Sequence, residues 1–507
     1  MEATSDSPHQ FRVLGTSPIR PDGLSKVTGR ACFGADFLMT GTLHGKILRS
    51  TYAHARILSI DTSEAEALPG VKAVVTAEDF PILNQPMDLS QAGSTPRAMA
   101  ENDLAHKKVL YRGHAIAGVA ATSIHIAEKA LELIKVDFDV LTPVLDVRQA
   151  MADDAPILHE NLTTMFRTGG FTQGDDTGIK GNIAGHVKVL HGDIVEGFKH
   201  SDVIVERELR TSMVHQGYIE PFAATAFWSP DDYLSIWTST QNAFGIRNTT
   251  SAILGLPESR VKVVPLEVGG GFGGKGKGYI EPVAALLSKK SSAPVKMVMT
   301  RKEVFEGTGP TSGTFIRCKI GADSDGYIKA AEMHMAYEAG AFPGSPVSGG
   351  AFPALGAYKI DNILIDGYDV VLNKPKTQSY RAPGQPQSTH AVETVIDELA
   401  EKLDMDPMEF RLKNAVREGD MSPTGLPHSR FGCVEVETAM KAHPHYNAPL
   451  QGHNQGRGVA VGYRMHAGGN GSSATLNVND NGTISLITGS ADLSGSRVSL
   501  AMQAAEA

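Results

Sequence analysis

The chain has 507 residues, with 41% hydrophobic and 20% charged side chains, which is the composition of a folded globular protein and excludes global disorder. Its 56 acidic against 47 basic residues leave a net charge of −9, which argues against nucleic acid as the main partner because phosphate binding needs a basic surface. No run approaches the roughly 18 apolar residues of a membrane span, and the polar start MEATSDSPHQF lacks the regions of a signal peptide, so the cytoplasm is the expected location.

A length of about 150 residues per domain allows about three domains, and the elements predict a mixed α/β (α+β) fold. The first unit, 23–141, carries short buried strands at Val71 to Thr76 and Ala115 to Ala121. Ser123 caps a helix with Ile126, Ala127, Ala130 and Leu133 on one face, and Ile134, Val136, Phe138 and Val140 alternate with charged residues as in a strand with one wet face. Residues 142–182 show little periodicity and read as an extended crossing segment. The second unit, 183–417, mixes strands such as Val203 to Arg210 and Val295 to Thr300 with three helices. One helix starts at Glu281-Pro282; one spans Ser388 to Leu403 with Val392, Ile396, Leu399 and Leu403 on one face; Asp406-Pro407 starts the third. A Gly/Pro/His-rich link leads to a last unit, 453–507, with strands at Ala474 to Val478 and Thr483 to Ile487 joined by Asp480-Asn481-Gly482, then a helix. The chain ends within that helix, so the third unit is expected to be unfinished.

Cys32, Cys318 and Cys433 stand too far apart to nest an iron–sulfur cluster or form a CxxC zinc site, so any electron relay belongs on another polypeptide. The segment Gly269-Gly-Gly-Phe-Gly-Gly-Lys-Gly-Lys-Gly278 lies between a strand and the Glu281 helix, where main-chain N–H groups and a helix N-terminus can cradle an anion. Gly269, Gly274 and Lys275 fit P-loop spacing, but Gly276 replaces the Ser or Thr that holds magnesium. Gly271, Gly273 and Gly276 fit GxGxxG, yet the acidic residue about 20 positions on is missing, and the plain alternative is a flexible loop without a ligand. His159-Glu160 fails the HExxH pattern at Thr163, and no GxSxG is present. Three other segments offer polar groups: Ser239-Thr-Gln-Asn242 after a strand, Tyr380-Arg-Ala-Pro-Gly-Gln-Pro-Gln387 before a helix, and His215-Gln-Gly-Tyr-Ile-Glu-Pro221.

The order of those four motifs resembles the molybdenum-cofactor-binding large subunit of the xanthine dehydrogenase/aldehyde oxidase family. The N-terminal unit is similar to that family's α/β hammerhead domain, with Lys26-Val-Thr-Gly-Arg30 near its start and Val109-Leu-Tyr-Arg-Gly-His-Ala-Ile116 at a familiar strand. The resemblance implies a hammerhead domain at 23–141, a first molybdopterin-binding domain at 183–417 and the start of a second at 453–507. It further implies a molybdenum–molybdopterin cofactor, in plain or cytosine dinucleotide form, and hydroxylation of an aldehyde or an N-heterocyclic or aromatic carbon with water-derived oxygen. Electrons are expected to leave through a small iron–sulfur subunit and an FAD-binding medium subunit, in a dimer of heterotrimers. Residue by residue, Gln241 matches the glutamine beside the oxo ligand, Gly271, Phe272 and Gly273 the loop over the metal and pterin, and Arg381 the arginine of the second loop. The metal itself is held through the pterin dithiolene rather than by side chains.

The departures carry expectations too. Gly276 and Pro383 stand where purine-oxidising members have a glutamate and a phenylalanine, so this substrate pocket should not bind a purine in the same way. Ala382 replaces the cysteine of copper-type carbon monoxide dehydrogenases, and Gly495 a pterin-contacting glutamine. The family's catalytic glutamate lies beyond Ala507, so no catalytic residue is assigned here and the chain alone is expected to be inactive. The alternatives are a non-catalytic assembly fragment of such an enzyme and a nucleotide-binding protein using Gly269 to Gly278.

Overall fold

The structure is a computed structural model that describes residues 11–90, 95–168, 174–464, 473–493 and 495–506. Residues 1–10, 91–94, 169–173, 465–472, 494 and 507 lie outside it, among them part of the crossing segment read at 142–182.

Ala115–Ala121, with the sequence AIAGVAA, is buried at every position, as a strand covered on both faces must be. It sits inside a seven-stranded sheet in the order 261–265, 234–238, 223–228, 295–298, 43–49, 115–121, 71–76. Side chains alternate between the two faces: Ala73, Val75 and Ala120 meet Val283 and Leu287, whereas Val74, Ala117 and Val119 meet Ala130. The helix Glu281–Ser291 therefore covers one face and Ile124–Leu133 the other. Gly118 lets the first come close, since a Cβ there would lie 2.8 Å from Val283 Cγ1. This sheet takes strands from both of the first two sequence units, which join where Leu43–Arg49 runs parallel to Val295–Val298.

A second seven-stranded sheet has the order 203–211, 314–322, 328–340, 363–371, 183–191, 163–168, 175–180. The helix Gln385–Lys402 lies on it with Val392, Ile396 and Leu399 buried in its core, the face expected from their spacing. Ser123 and Asp406 cap their helices as expected, accepting from Ile126 N and from Met408 N and Glu409 N.

Two stretches differ from the sequence reading. Residues 142–182 are not a bare crossing segment: they hold a helical turn, Val147–Ala150, and the strands Thr163–Thr168 and Asp175–Lys180 at the rim of the second sheet. Asp175–Lys180 is exposed at every position, and an edge strand wet on both faces leaves no alternation to read. The Gly/Pro/His-rich link contains the helix Cys433–Ala442. The last hairpin, Ala474–Val478 with Ile484–Thr488, and the helix Ser496–Glu506 fall where the turn and periodicity put them. Among the described residues no helix is long and apolar enough to cross a membrane.

Candidate cofactor site

Two neighbouring parallel strands, Leu234–Thr238 and Val261–Pro265, deliver the site. Ligands gather at the C-terminal ends of such strands because the chain leaves the sheet there with free main-chain groups. From the first end come Gln241 and Asn242, whose Oδ1 accepts from Gly245 N to start the helix Ala243–Leu254. From the second comes the glycine loop.

Gln241 holds the loop in shape. Its Oε1 accepts from Gly273 N at 2.9 Å and from Lys275 N at 3.1 Å, and its own N–H donates to Lys275 O at 2.9 Å. Both main-chain groups only donate, so the atom they meet must be the amide oxygen. The Nε2 amino group is left without a partner among the described residues. The glycines make this approach feasible: a Cβ on Gly271 would lie 2.5 Å from Gln241 Oε1, and one on Gly273, at φ +105°, 2.7 Å from Ser379 O. Between them Phe272 adopts φ +52° and exposes 49% of its surface. A bulky residue in that region of backbone space is strained, and the loop keeps it there through Phe272 O, which accepts from Arg381 N at 2.8 Å.

That bond joins the glycine loop to the turn 380–387. Gln216 adds a second tie, its Nε2 donating to Ser379 O at 2.8 Å and to Gly309 O at 3.1 Å. Arg381 is exposed, with a guanidinium that has no partner among the described residues. Gly276 faces open space, with no atom within 4 Å of a Cβ, and the Pro383 carbonyl lies 2.5 Å from a Cβ placed on Gly349. The structure thus brings Gln241, Gly271, Phe272, Gly273 and Arg381 together and puts Gly276 and Pro383 on the same pair of loops.

Two residues were not legible as partners. Lys275 is fully buried, donates to Glu220 Oε2 at 2.6 Å and to Ser239 Oγ at 3.2 Å, and lies over the Tyr218 ring. Burial pulls its ammonium below the ordinary lysine value, and the Glu220 carboxylate restores only part of that. Glu220 also accepts from Gly269 N at 2.7 Å and, through Oε1, from Gly34 N at 3.1 Å, so it anchors the loop from beneath. A lysine turned inward cannot meet a phosphate, and the P-loop spacing is a coincidence of the glycine run. The helix N-terminus is likewise closed as an anion seat: buried Glu281 accepts from Tyr279 N at 3.0 Å and Ile280 N at 3.2 Å through Oε2, and from Thr238 Oγ1 at 2.8 Å through Oε1. Of the groups expected to cradle an anion, the helix start is therefore spent, and the Arg381 guanidinium is left without a partner among the described residues.

An amide donor, a guanidinium and a glycine-hinged loop thus lie on two loops joined by the bond from Arg381 N to Phe272 O. The family model for the molybdopterin cofactor-binding domain matches residues 176–415, and that for the aldehyde oxidase and xanthine dehydrogenase a/b hammerhead domain matches 28–142. The chain is 34% identical to a probable xanthine dehydrogenase subunit of Bacillus subtilis, over 90% of this chain, and spans only 58% of that relative's length. It is 31% identical to the nicotinate dehydrogenase large molybdopterin subunit of Eubacterium barkeri, over 84% of this chain and 95% of that one. Among solved structures, quinoline 2-oxidoreductase from Pseudomonas putida superimposes with a TM-score of 0.83 at 25% identity, covering 98% of this chain and 65% of that one. Aldehyde oxidoreductase from Desulfovibrio gigas gives 0.77 at 28% identity, covering 92% and 51%. The chain belongs to the xanthine dehydrogenase/aldehyde oxidoreductase family of molybdenum-binding subunits.

Proposed function

We propose that the chain is the cofactor-binding part of a molybdenum hydroxylase that oxidises an aldehyde or an N-heterocyclic or aromatic carbon. The observation that carries this reading is the division of labour in Gln241, whose carbonyl is spent on the glycine loop while its amino group remains free to donate. When bound, the molybdenum cofactor supplies a two-electron redox centre that transfers water-derived oxygen. Gln241 Nε2, the main-chain N–H groups of Gly271 and Phe272, the exposed Phe272 ring and the Arg381 guanidinium would hold that group, the N–H groups and the guanidinium by donating to its oxygens. Glu220 and Glu281, the carboxylates nearest the loops, are both consumed by internal hydrogen bonds, so neither serves as the base. Relatives named for nicotinate, quinoline and aldehydes support the substrate class. Iron–sulfur and FAD subunits complete the electron path in this reading, and the cytosine dinucleotide form of the pterin is one of the two it accommodates.

The test is expression together with a molybdenum-cofactor assembly system, followed by measurement of metal and pterin per chain. Near-stoichiometric loading in the wild type, lost in Gln241→Ala, is expected. An unloaded wild-type chain whose melting temperature rises with ATP and magnesium would hand the loop to the nucleotide reading. Full loading without turnover in the presence of the electron-transfer subunits would favour the assembly fragment.

A further inference from the structure

The two cofactor loops continue into a second, smaller feature. The outgoing end of the glycine loop, at Lys277, and the incoming end of the arginine loop, at Lys376 and Gln378, line a small pocket of about 30 Å³ together with Asn102, Asp103, Met99 and Tyr279. That volume suits the head of one small anion or one water. Lys277 has no hydrogen-bond or ion-pair partner among the described residues. Lys376 donates to Pro343 O at 2.8 Å, which leaves the rest of its ammonium open. Burial, and then the charge of Lys277, push Lys376 down to about 7. The carboxylate bearing on it, Asp369, is already taken up by Gly344 N and Ser345 N, both at 2.8 Å. Asp103 is only 5% exposed and has no side-chain partner among the described residues; burial, with Glu281 adding to it, raises its carboxyl well above the usual range. Two lysines thus line one small pocket, Lys277 without a partner among the described residues, and an anion seated beside them would favour their charged forms. Gly276, between the cleft and the pocket along the chain, contributes no side chain to wall them apart.

Resting on the function proposed above, we infer that this pocket reads the substrate: Lys277 and Lys376 bind the carboxylate of an aromatic or heteroaromatic acid whose ring faces the cofactor cleft. Asp103, Asn102 and Gln378 offer hydrogen bonds to the same group. The pocket also suits a cofactor phosphate, which shares the oxyanion chemistry, and the test separates the two.

Calorimetric titration of the chain purified without cofactor is run with benzoate, benzamide and inorganic phosphate, on the wild type, Lys277→Met, Lys277→Arg and Lys376→Met. Benzoate affinity should fall roughly 10- to 100-fold in each Met variant, the scale of losing a charged hydrogen bond, and recover in part in Lys277→Arg. Benzamide should bind weakly and equally to all. Lys277, which makes no bond, keeps the test valid if Lys376→Met does not fold. No benzoate binding, equal binding in the Met variants, or benzamide as tight as benzoate would overturn the inference. So would phosphate binding tighter than benzoate and weakened by the same variants, which would assign the pocket to the cofactor. Molybdenum and pterin loading of the wild type is measured separately: loading without benzoate recognition sinks this inference alone, and benzoate recognition without loading sinks the function reading alone.

Discussion

Gln241 and Lys275 make opposite uses of the same loop, and single substitutions separate them. Gln241→Glu keeps the acceptor for Gly273 N and Lys275 N but removes the amino donor, so it should fold normally and load less cofactor. Gln241→Ala also strands those two N–H groups, at about 1–3 kcal/mol for a buried group left unpaired, and should lower both melting temperature and loading. In a turning-over complex either change should slow the reaction by roughly 10- to 1000-fold, the scale of losing a positioned donor. Equal loading by wild type and Gln241→Glu would remove the amino group from the site. Lys275→Met should be worse for folding than for chemistry: it leaves the Glu220 carboxylate buried without its cation, a loss of about 3–5 kcal/mol readable in a urea melt. In the sequence the glycines stood out through their spacing and Gln241 as a polar amide after a strand, whereas nothing in it pairs Glu220 with Lys275, because the contact closes between two loops 55 residues apart.

At the level of elements, His114 couples the helix Pro96–Asp103 to the first sheet. It is fully buried, stacks on Tyr111 at 4.4 Å, meets Glu101 O through Nε2 at 2.8 Å and accepts from Leu110 N through Nδ1 at 3.2 Å. That pattern suits the neutral ring, and burial, with Arg49 adding to it, holds its pKa down at about 4. The folded value lies below the ordinary 6.5, so the unfolded chain binds the extra proton first as pH falls. Stability from His114 is present above pH 6.5 and is lost between 6.5 and 4, by about 3 kcal/mol in total. His215 is also held at about 4, so the measurement is a difference: denaturant melts from pH 7 to 4 should show a shallower acid loss in His114→Gln than in the wild type. Parallel curves would mean that the ring is not buried neutral. Helices with capping residues and a clear apolar face were legible along the chain; the rim strands at 163–168 and 175–180 were not, because their pairing partners rather than their own pattern make them strands.

Over the whole molecule, the first sheet binds the hammerhead region to the cofactor-binding region in one hydrogen-bonded layer, so the two are expected to unfold together. The termini are tied as well: Glu506 accepts from Arg12 N and Val13 N, and Arg497 reaches Glu267. The pocket lined by Lys277 and Lys376 also draws on both regions, through Asn102 and Asp103. With Gly276 and Pro383 where the resemblance would put an acid and an aromatic ring, the cofactor-loaded enzyme should oxidise xanthine less efficiently than an aldehyde or another heterocycle in the same substrate panel. Xanthine as the best substrate would contradict this.

What the sequence determined by itself were the features written in local chemistry: the glycine run, the capped helices, the buried alanine-rich strand and the ordered motifs that carry the family resemblance. Each depends on residues within a few positions of one another, or on short motifs recognised one at a time. The tertiary structure alone decided that Lys275 faces inward, that Glu281 closes the helix start, that strands from two sequence units share one sheet, and that Lys277 and Lys376 line one pocket. Those outcomes rest on burial and on pairings between distant segments, and the free energy of a buried charge is set by which groups surround it, something spacing along the chain does not encode.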